Sequence, residues 1–250
     1  MAQYGEFAQY YDELICNVDY AARAAYFDQL IKKFGGSRGI LLDVACGTGS
    51  LSFEMEKLGY DVIGADISEE MLGIANEKRY EFGSRVLFLN QSMQELDLYG
   101  TVDAAICALD SVNHIIEPEE LTQGFRRIAL FLDPDGIFIF DANTIYKHQH
   151  ILGNETFVYD CEDVYCVWQN EYHEQNHVVD IQLDFFGECE DGRYDRAQEL
   201  FCERAYSDEE MRTMLLAAGL QVIACYDSDS FSPPRPDSQR VIYVVKHTSK

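Results

Sequence analysis

Residues 39–66 read GILLDVACGTGSLSFEMEKLGYDVIGAD, and they restrict the fold more than any other stretch of the chain. Three apolar residues, Ile40, Leu41 and Leu42, run into an acid, Asp43, and then into the turn Gly47-Thr48-Gly49. A short apolar run followed by glycines and a helix-like segment predicts a buried parallel strand, a tight turn and a helix N-terminus. The helix is expected over Ser50 to Leu58, with Gly59 as its stop. A second apolar run, Val62 to Ala65, again ends in an acid, Asp66. The pattern is one β-α-β unit with two carboxylates at the carboxyl ends of neighbouring strands, where open α/β sheets bind ligands.

The glycines let a backbone approach a ligand closely, and a helix N-terminus favours negative groups. An ionised acid at the second strand end can accept both hydroxyls of a ribose diol. Taken singly, a G-x-G is as readily a plain turn, and Asp66 before Ser68 a helix start; the ordered set carries the reading. It fits any adenosine-containing cofactor. Asp43 narrows the choice, because an acid is poorly placed beside the pyrophosphate of a dinucleotide, and Ser52 stands where the dinucleotide fingerprint has its third glycine. A ligand with an ammonium and a sulfonium suits Asp43 better.

Here the chain resembles the class I S-adenosylmethionine-dependent methyltransferases, whose first motif is a strand, an acid and then x-x-x-G-x-G, as in Asp43-Val44-Ala45-Cys46-Gly47-Thr48-Gly49. The resemblance implies S-adenosyl-L-methionine as cofactor, with Asp43 serving the cationic methionine end through backbone or water. Ala45, Cys46, Gly47, Thr48 and Gly49 would form the turn against it, and Asp66 would take the ribose. Ile67 and Met71 would flank the adenine. An acid usually meets the adenine amino group in the family; the equivalent here is Ser92, a departure, with Met93 beside it. Leu109 and Asp110 would border the methyl-bearing half. The stretch around Tyr10-Tyr11-Asp12 resembles the start of many small bacterial methyltransferases, which implies that Tyr11 lies over the cofactor and Tyr20 near the acceptor. Asn113 and His114 complete the expected acceptor side. His114, and less directly Asp110, are the candidate catalytic groups, since an imidazole can take a proton from an acceptor. Methyl transfer often needs little beyond in-line positioning.

Along the rest of the chain, two helices are expected between Tyr4 and Phe34, broken near Asn17 to Asp19. A helix from Ser68 to about Gly83 follows, then strands at Arg85 to Leu89 and Val102 to Leu109. A helix from Pro118 to Phe131, a turn at Leu132 to Gly136 and a strand to Phe140 come next. Between Thr144 and Ala205 the character changes. Val179, Ile181, Leu183 and Phe185 alternate with Asp180, Gln182 and Asp184, a period-two pattern. Further strands are expected at Phe157 to Tyr159, Tyr165 to Gln169 and Glu199 to Cys202, with a hairpin turn at Glu190-Asp191-Gly192. Trp168, with Tyr172 and His173, could touch an acceptor from this insertion. Ser207 to Glu210 reads as a capping box before a helix that stops at Gly219, and Leu220 to Tyr226 and Arg240 to Val245 supply two last strands. The expected fold is α/β: a Rossmann-like doubly wound seven-stranded sheet with an antiparallel last strand, plus an inserted antiparallel β-sheet. Residues 1–143 and 206–250 would form the cofactor-binding domain, and 144–205 a substrate-side subdomain.

The 250 residues carry 44 acids against 19 Lys and Arg, a formal charge of −25. Residues 151–206 alone hold 14 acids against 3 arginines, a net of −11. Such a surface repels phosphate backbones, which disfavours nucleic acid and leaves a small molecule as the preferred acceptor. Eight cysteines without a C-x-x-C pair read as reduced, several of them buried, and no metal site is expected. With neither a signal-like start nor a membrane-length apolar stretch, a cytoplasmic setting is expected. Two rivals remain at this point: a protein that binds the cofactor without catalysis, and a nicotinamide-dependent oxidoreductase.

Overall fold

The computed structural model describes residues 7–15, 17–161, 164–189, 191–228 and 230–248. Tyr4, Cys16 and Glu190, which figure in the expectations above, lie outside them. Two helices, α1 (Phe7–Leu14) and α2 (Tyr20–Lys33), precede the sheet. The α/β core follows as β1 (Ile40–Val44), α3 (Ser50–Lys57), β2 (Asp61–Asp66), α4 (Glu69–Phe82), β3 (Leu87–Asn90), β4 (Val102–Cys107), α5 (Pro118–Phe131) and β5 (Leu132–Asn143). A π-helical turn at Lys147–Leu152 leads into β6 (Thr156–Asp160), β7 (Val164–His173), β8 (Val178–Glu188) and β9 (Tyr194–Arg204). The core resumes with α6 (Asp208–Ala217), β10 (Leu220–Asp227) and β11 (Arg240–His247).

Seven strands form one sheet in the order β10-β11-β5-β4-β1-β2-β3, with β11 antiparallel to both of its neighbours and the rest parallel. Alternate residues of the central strands bury on opposite faces, as a sheet covered on both sides requires. Leu42, Phe138 and Phe140 pack with Phe125 of α5 and Met211 of α6, whereas Leu41, Ile137 and Ile139 pack with Phe27 of α2 and Leu51 of α3.

β6 to β9 make a separate antiparallel meander. One face of it joins Ala8 of α1 and Met71 of α4 in a third apolar cluster, and Tyr10 stacks on Phe185 with ring centroids 6.1 Å apart. The N-terminal helix is therefore packed between the inserted sheet and the glycine turn, where Thr48 Oγ1 donates to Asp12 Oδ1 at 2.8 Å.

Several ends differ from expectation, and each has a local cause. β3 begins at Leu87, where its pairing with Ile63 of β2 begins. β4 stops at Cys107 because Leu109 and Asp110 adopt φ of 57° and 54°, which no strand continues. β5 starts at Leu132, and the expected turn is a bulge inside it: register jumps from Val102↔Leu132 to Ala104↔Ile137. Among the described residues, no helix is long and apolar enough to cross a membrane.

Candidate active site

At the carboxyl ends of β1 and β2 the chain turns sharply, with Ala45, Gly47 and Gly49 at φ of 57°, 54° and 77°. Gly49 starts α3, and a Cβ there would lie 2.7 Å from the Phe88 ring. A Cβ at Gly47 would meet only the Tyr11 ring, at 4.0 Å, so this glycine keeps open the space between the turn and α1. The Gly47 amide donates to Asp66 Oδ2 and the Ser68 amide to Oδ1, both at 2.8 Å, which fixes the Asp66 carboxylate between the turn and α4. Burial raises the pKa of Asp66 against the pull of those amides.

Asp43 is 2% exposed, and among the described residues Ser52 is its one hydrogen-bond donor, at 2.5 Å. Burial pushes its pKa up to about 7; Ser52 opposes the rise and the charge of Asp66 adds to it. Among the described residues, no cation stands among the groups acting on Asp43. Beside it lies a water-sized space of about 30 Å³ whose walls include Tyr20, Ala45, Cys46 and Thr48. Next to that opens a cavity of about 720 Å³, and the two share Tyr11, Ala45, Gly47, Leu109 and Ser111 as walls.

The structure brings most of the expected residues to these walls. Asp66, Ile67, Met71, Ser92, Met93, Leu109 and Asp110 line the large cavity together with His114 and Trp168. The Ser92 hydroxyl is engaged already, donating to Glu95 Oε2 at 3.1 Å and accepting from the Glu95 amide at 3.2 Å. Gly49 lines neither space and serves the turn. Asn113 must be corrected: it is fully buried, its amide donates to the carbonyls of Asn143 and Arg204, and its Oδ1 accepts from the Asn143 amide, so it braces backbone instead of facing an acceptor. Of the two other residues weighed in the insertion, Tyr172 bonds His177 and His173 bonds Asp180. Neither lines the cavity.

Sequence reasoning missed the polar floor. Asp141, 0% exposed, pairs with Arg23 at 2.7 Å and Arg240 at 3.5 Å, and its two oxygens also accept the amides of Leu109 and Asp110. Arg240 reaches Asp110 at 2.5 Å. Against the cost of burying Asp110, the charge of Arg240, with Lys147 behind it, holds its carboxyl below the usual range. Asn143 joins Asp110 to Glu203, and Lys147 donates to Asn143 Oδ1 at 2.9 Å. An aromatic wall of Phe157, Tyr159, Trp168 and Phe201 faces this floor. Cross-strand pairing of Phe157 with Trp168 and of Tyr159 with Cys166 puts the wall on one sheet face. One signal could have found Glu203: it follows Phe201 by two residues in β9, which places an acid on the strand face that carries an aromatic. Arg23 and Arg240 had none, since only the tertiary fold brings them together.

A family model described as a methyltransferase domain matches residues 41–136. A putative methyltransferase of Geobacillus sp. (strain WCH70) is 33% identical over 245 residues, covering 97% of this chain and 99% of its own. The chain belongs to the class I S-adenosylmethionine-dependent methyltransferases. The crystal structure of an S-adenosylmethionine-dependent methyltransferase from Clostridium acetobutylicum ATCC 824 is 30% identical, spans 98% of this chain and 99% of that one, and has a TM-score of 0.89. In fold alone, this methyltransferase is similar to the sugar N-methyltransferase KedS8 from Streptoalloteichus sp ATCC 53650, at 21% identity and a TM-score of 0.76 over 95% and 93% of the two chains. Its methyl donor is S-adenosylmethionine, which removes hydride transfer from consideration. The residues present fit that donor: the buried acid Asp43 has no cation paired with it among the described residues, and a Cβ at Gly47 would meet only the Tyr11 ring, so the space against the turn stands open.

Proposed function

We propose that this methyltransferase modifies a small molecule held between the aromatic wall and the charged floor. The reading rests on one observation, the cavity of about 720 Å³ whose walls combine cofactor-side residues with that wall and floor. Its size falls in the range of roughly 300–1,000 Å³ typical of small-ligand sites, enough for a cofactor and a compact acceptor side by side. The acidic insertion argues in the same direction, because phosphate backbones would be repelled there. The sugar acceptor named for KedS8 is one chemistry such a wall can receive.

When bound, S-adenosylmethionine supplies a methyl group on a positive sulfur, open to in-line attack. Asp43 and the walls of the small space would hold the methionine end, and Asp66 the ribose hydroxyls. Ile67 and Met71 would flank the adenine, with Met93 at its edge. Residues 144–205 would act as the acceptor-side subdomain, Trp168 and its neighbours excluding water while the nucleophile is positioned. His114 would accept the proton the acceptor loses. A cytoplasmic setting suits free cysteines such as Cys107, Cys166 and Cys225.

The test is transfer of label from methyl-labelled S-adenosylmethionine into a cell extract split into low-mass, protein and nucleic-acid fractions. Label is expected in the low-mass fraction, and lost with Asp66→Ala. Label confined to protein or RNA would sink the small-molecule reading while leaving the donor intact.

A further inference from the structure

Glu203 is 4% exposed and lines the cavity, and its carboxyl group is only half engaged. Oε2 accepts from Asn143 Nδ2 at 3.2 Å. Two imidazoles stand near, His114 Nε2 at 3.6 Å from Oε1 and His148 Nε2 at 3.5 Å from Oε2, both too far for a hydrogen bond. Among the described residues nothing donates to Oε1, and no Arg or Lys lies within ion-pair distance of Glu203. Protein does not seal Oε1 off either, so this oxygen opens on the cavity. An acid buried one donor short is unfavourable until a donor arrives. The other acids of the cavity differ. Asp66 has both oxygens met by the amides of Gly47 and Ser68, Asp110 has both met by Arg240 and Asn143, and Glu120 is exposed to water. The cations of the cavity are committed as well, Arg23 and Arg240 to Asp141 and Lys147 to the side-chain oxygen of Asn143.

We propose that Glu203 binds the methyl acceptor and that the acceptor atom is an amine nitrogen, one N–H of which is given to Oε1. The inference deepens the small-molecule reading above and rests on it. In the transfer step the lone pair of the neutral amine forms the bond to the methyl carbon, the sulfur–methyl bond breaks with its electron pair going to sulfur, and the positive charge passes from sulfur to nitrogen. No proton leaves in that step; the proton an ammonium sheds beforehand is the one read above as going to His114. A buried carboxylate at the nitrogen binds more strongly as that charge develops, which lowers the barrier. A phenolate or carboxylate acceptor has the opposite sign. It would begin as an anion against an acid that, among the described residues, has no Arg or Lys paired to it. The surroundings favour a cation too. Phe157, Tyr159, Trp168 and Phe201 bring aromatic rings to the same cavity, and such rings attract ammonium groups. Trp168 spends its N–H on Asn170 Oδ1, at 2.6 Å, which leaves its ring surface to the acceptor. The net charge of −11 over residues 151–206, the stretch that supplies Glu203, draws cations toward it.

The methylated atom can be read directly. Transfer from S-adenosylmethionine carrying a carbon-13 methyl group into the low-mass fraction of a cell extract, followed by proton–carbon NMR of the labelled product, separates N-methyl from O-, S- and C-methyl groups, and the N-methyl signal alone moves as the amine is titrated. An N-methyl product is expected. In Glu203→Gln the amide oxygen can still accept from Asn143, but the arm turned to the cavity becomes a neutral donor. Formation of the N-methyl product should then fall by about tenfold or more, in line with the loss of a charge-assisted hydrogen bond, while affinity for S-adenosylhomocysteine stays unchanged. Glu203→Ser, which removes the charge without offering an amide, carries the same expectation should the glutamine variant not fold. A low-mass product methylated on oxygen, sulfur or carbon would overturn the inference, and so would undiminished N-methyl formation by either folded variant. Label confined to protein or RNA would instead remove the small-molecule reading, a separable result.

Discussion

Asp43 is a buried acid whose ionisation the fold opposes. Its ordinary pKa is 3.8, and burial pushes it up to about 7 in the folded chain. A raised acid binds its proton more tightly when folded, so its contribution to stability is full below about pH 4 and is lost as pH rises through about 7. In the ligand-free protein the ionised carboxylate is therefore a burden above neutrality. Asp43→Asn lifts that burden, and its melting temperature at alkaline pH should exceed that of the wild type by a few degrees, at about 2–4 °C per kcal/mol for a chain of this size. Cofactor binding should move the opposite way. A cation beside Asp43 favours the ionised form, so affinity for S-adenosylmethionine should rise between about pH 6 and about pH 8 with release of a proton. The Asn variant should lose about tenfold or more of that affinity, equivalent to about 1.4 kcal/mol. Titration calorimetry in two buffers of different ionisation enthalpy measures both quantities. Affinity independent of pH would detach Asp43 from the cationic end.

At the scale of elements, local chemistry decides helix ends and partners decide strand ends. Ser207 accepts from the Glu210 amide while the Glu210 carboxylate accepts from the Ser207 amide, closing a capping box at the start of α6. Ser207→Ala should cost about 1 kcal/mol in urea unfolding, with methyl transfer unchanged because α6 packs against the sheet away from the cavity. Such signals were readable in advance: the Ser68 cap of α4, Pro118 in the first turn of α5 and the Ser207 box all stand where the sequence puts them. The inserted strands were legible from alternation in place but not in length: the strands expected over 165–169 and 199–202 run as β7 (Val164–His173) and β9 (Tyr194–Arg204). What a local pattern cannot carry is register. The pairing of Glu203 with Val179, and of Arg240 with Asn143, decides which side chains reach the cavity, and each pairing joins residues far apart in the chain. Asn113 is the converse case: its place in a polar loop after a strand suggested the acceptor, but the loop folds it inward onto backbone groups that only the finished fold brings near.

Across the whole molecule, Asp141 ties the catalytic end of the sheet to its surroundings. Arg23 comes from α2, Arg240 from β11, and the two amides from the loop after β4, all converging on one buried carboxylate of β5. Leu109 and Asp110 sit at positive φ, a conformation costly for residues with side chains. Asp141 meets their amides and so stabilises the strained turn that presents Leu109 and Asp110 to the cavity. Replacing its charge has two consequences that travel together. Asp141→Asn leaves Arg23 and Arg240, both largely buried, without that carboxylate, which should cost about 3–5 kcal/mol as for other broken buried pairs. An amide also cannot accept two backbone N–H groups on both of its arms, so the loop after β4 should relax toward ordinary φ. Conditions that keep the variant folded, such as low temperature, then separate the effects: unfolding in urea reads the first, and S-adenosylhomocysteine affinity reads the second. Weaker cofactor binding by folded protein would mark Asp141 as the residue that holds the loop in its binding shape. Lost stability with undiminished affinity would mean that the turn keeps its shape without Asp141, by the packing of α2 and β11 alone.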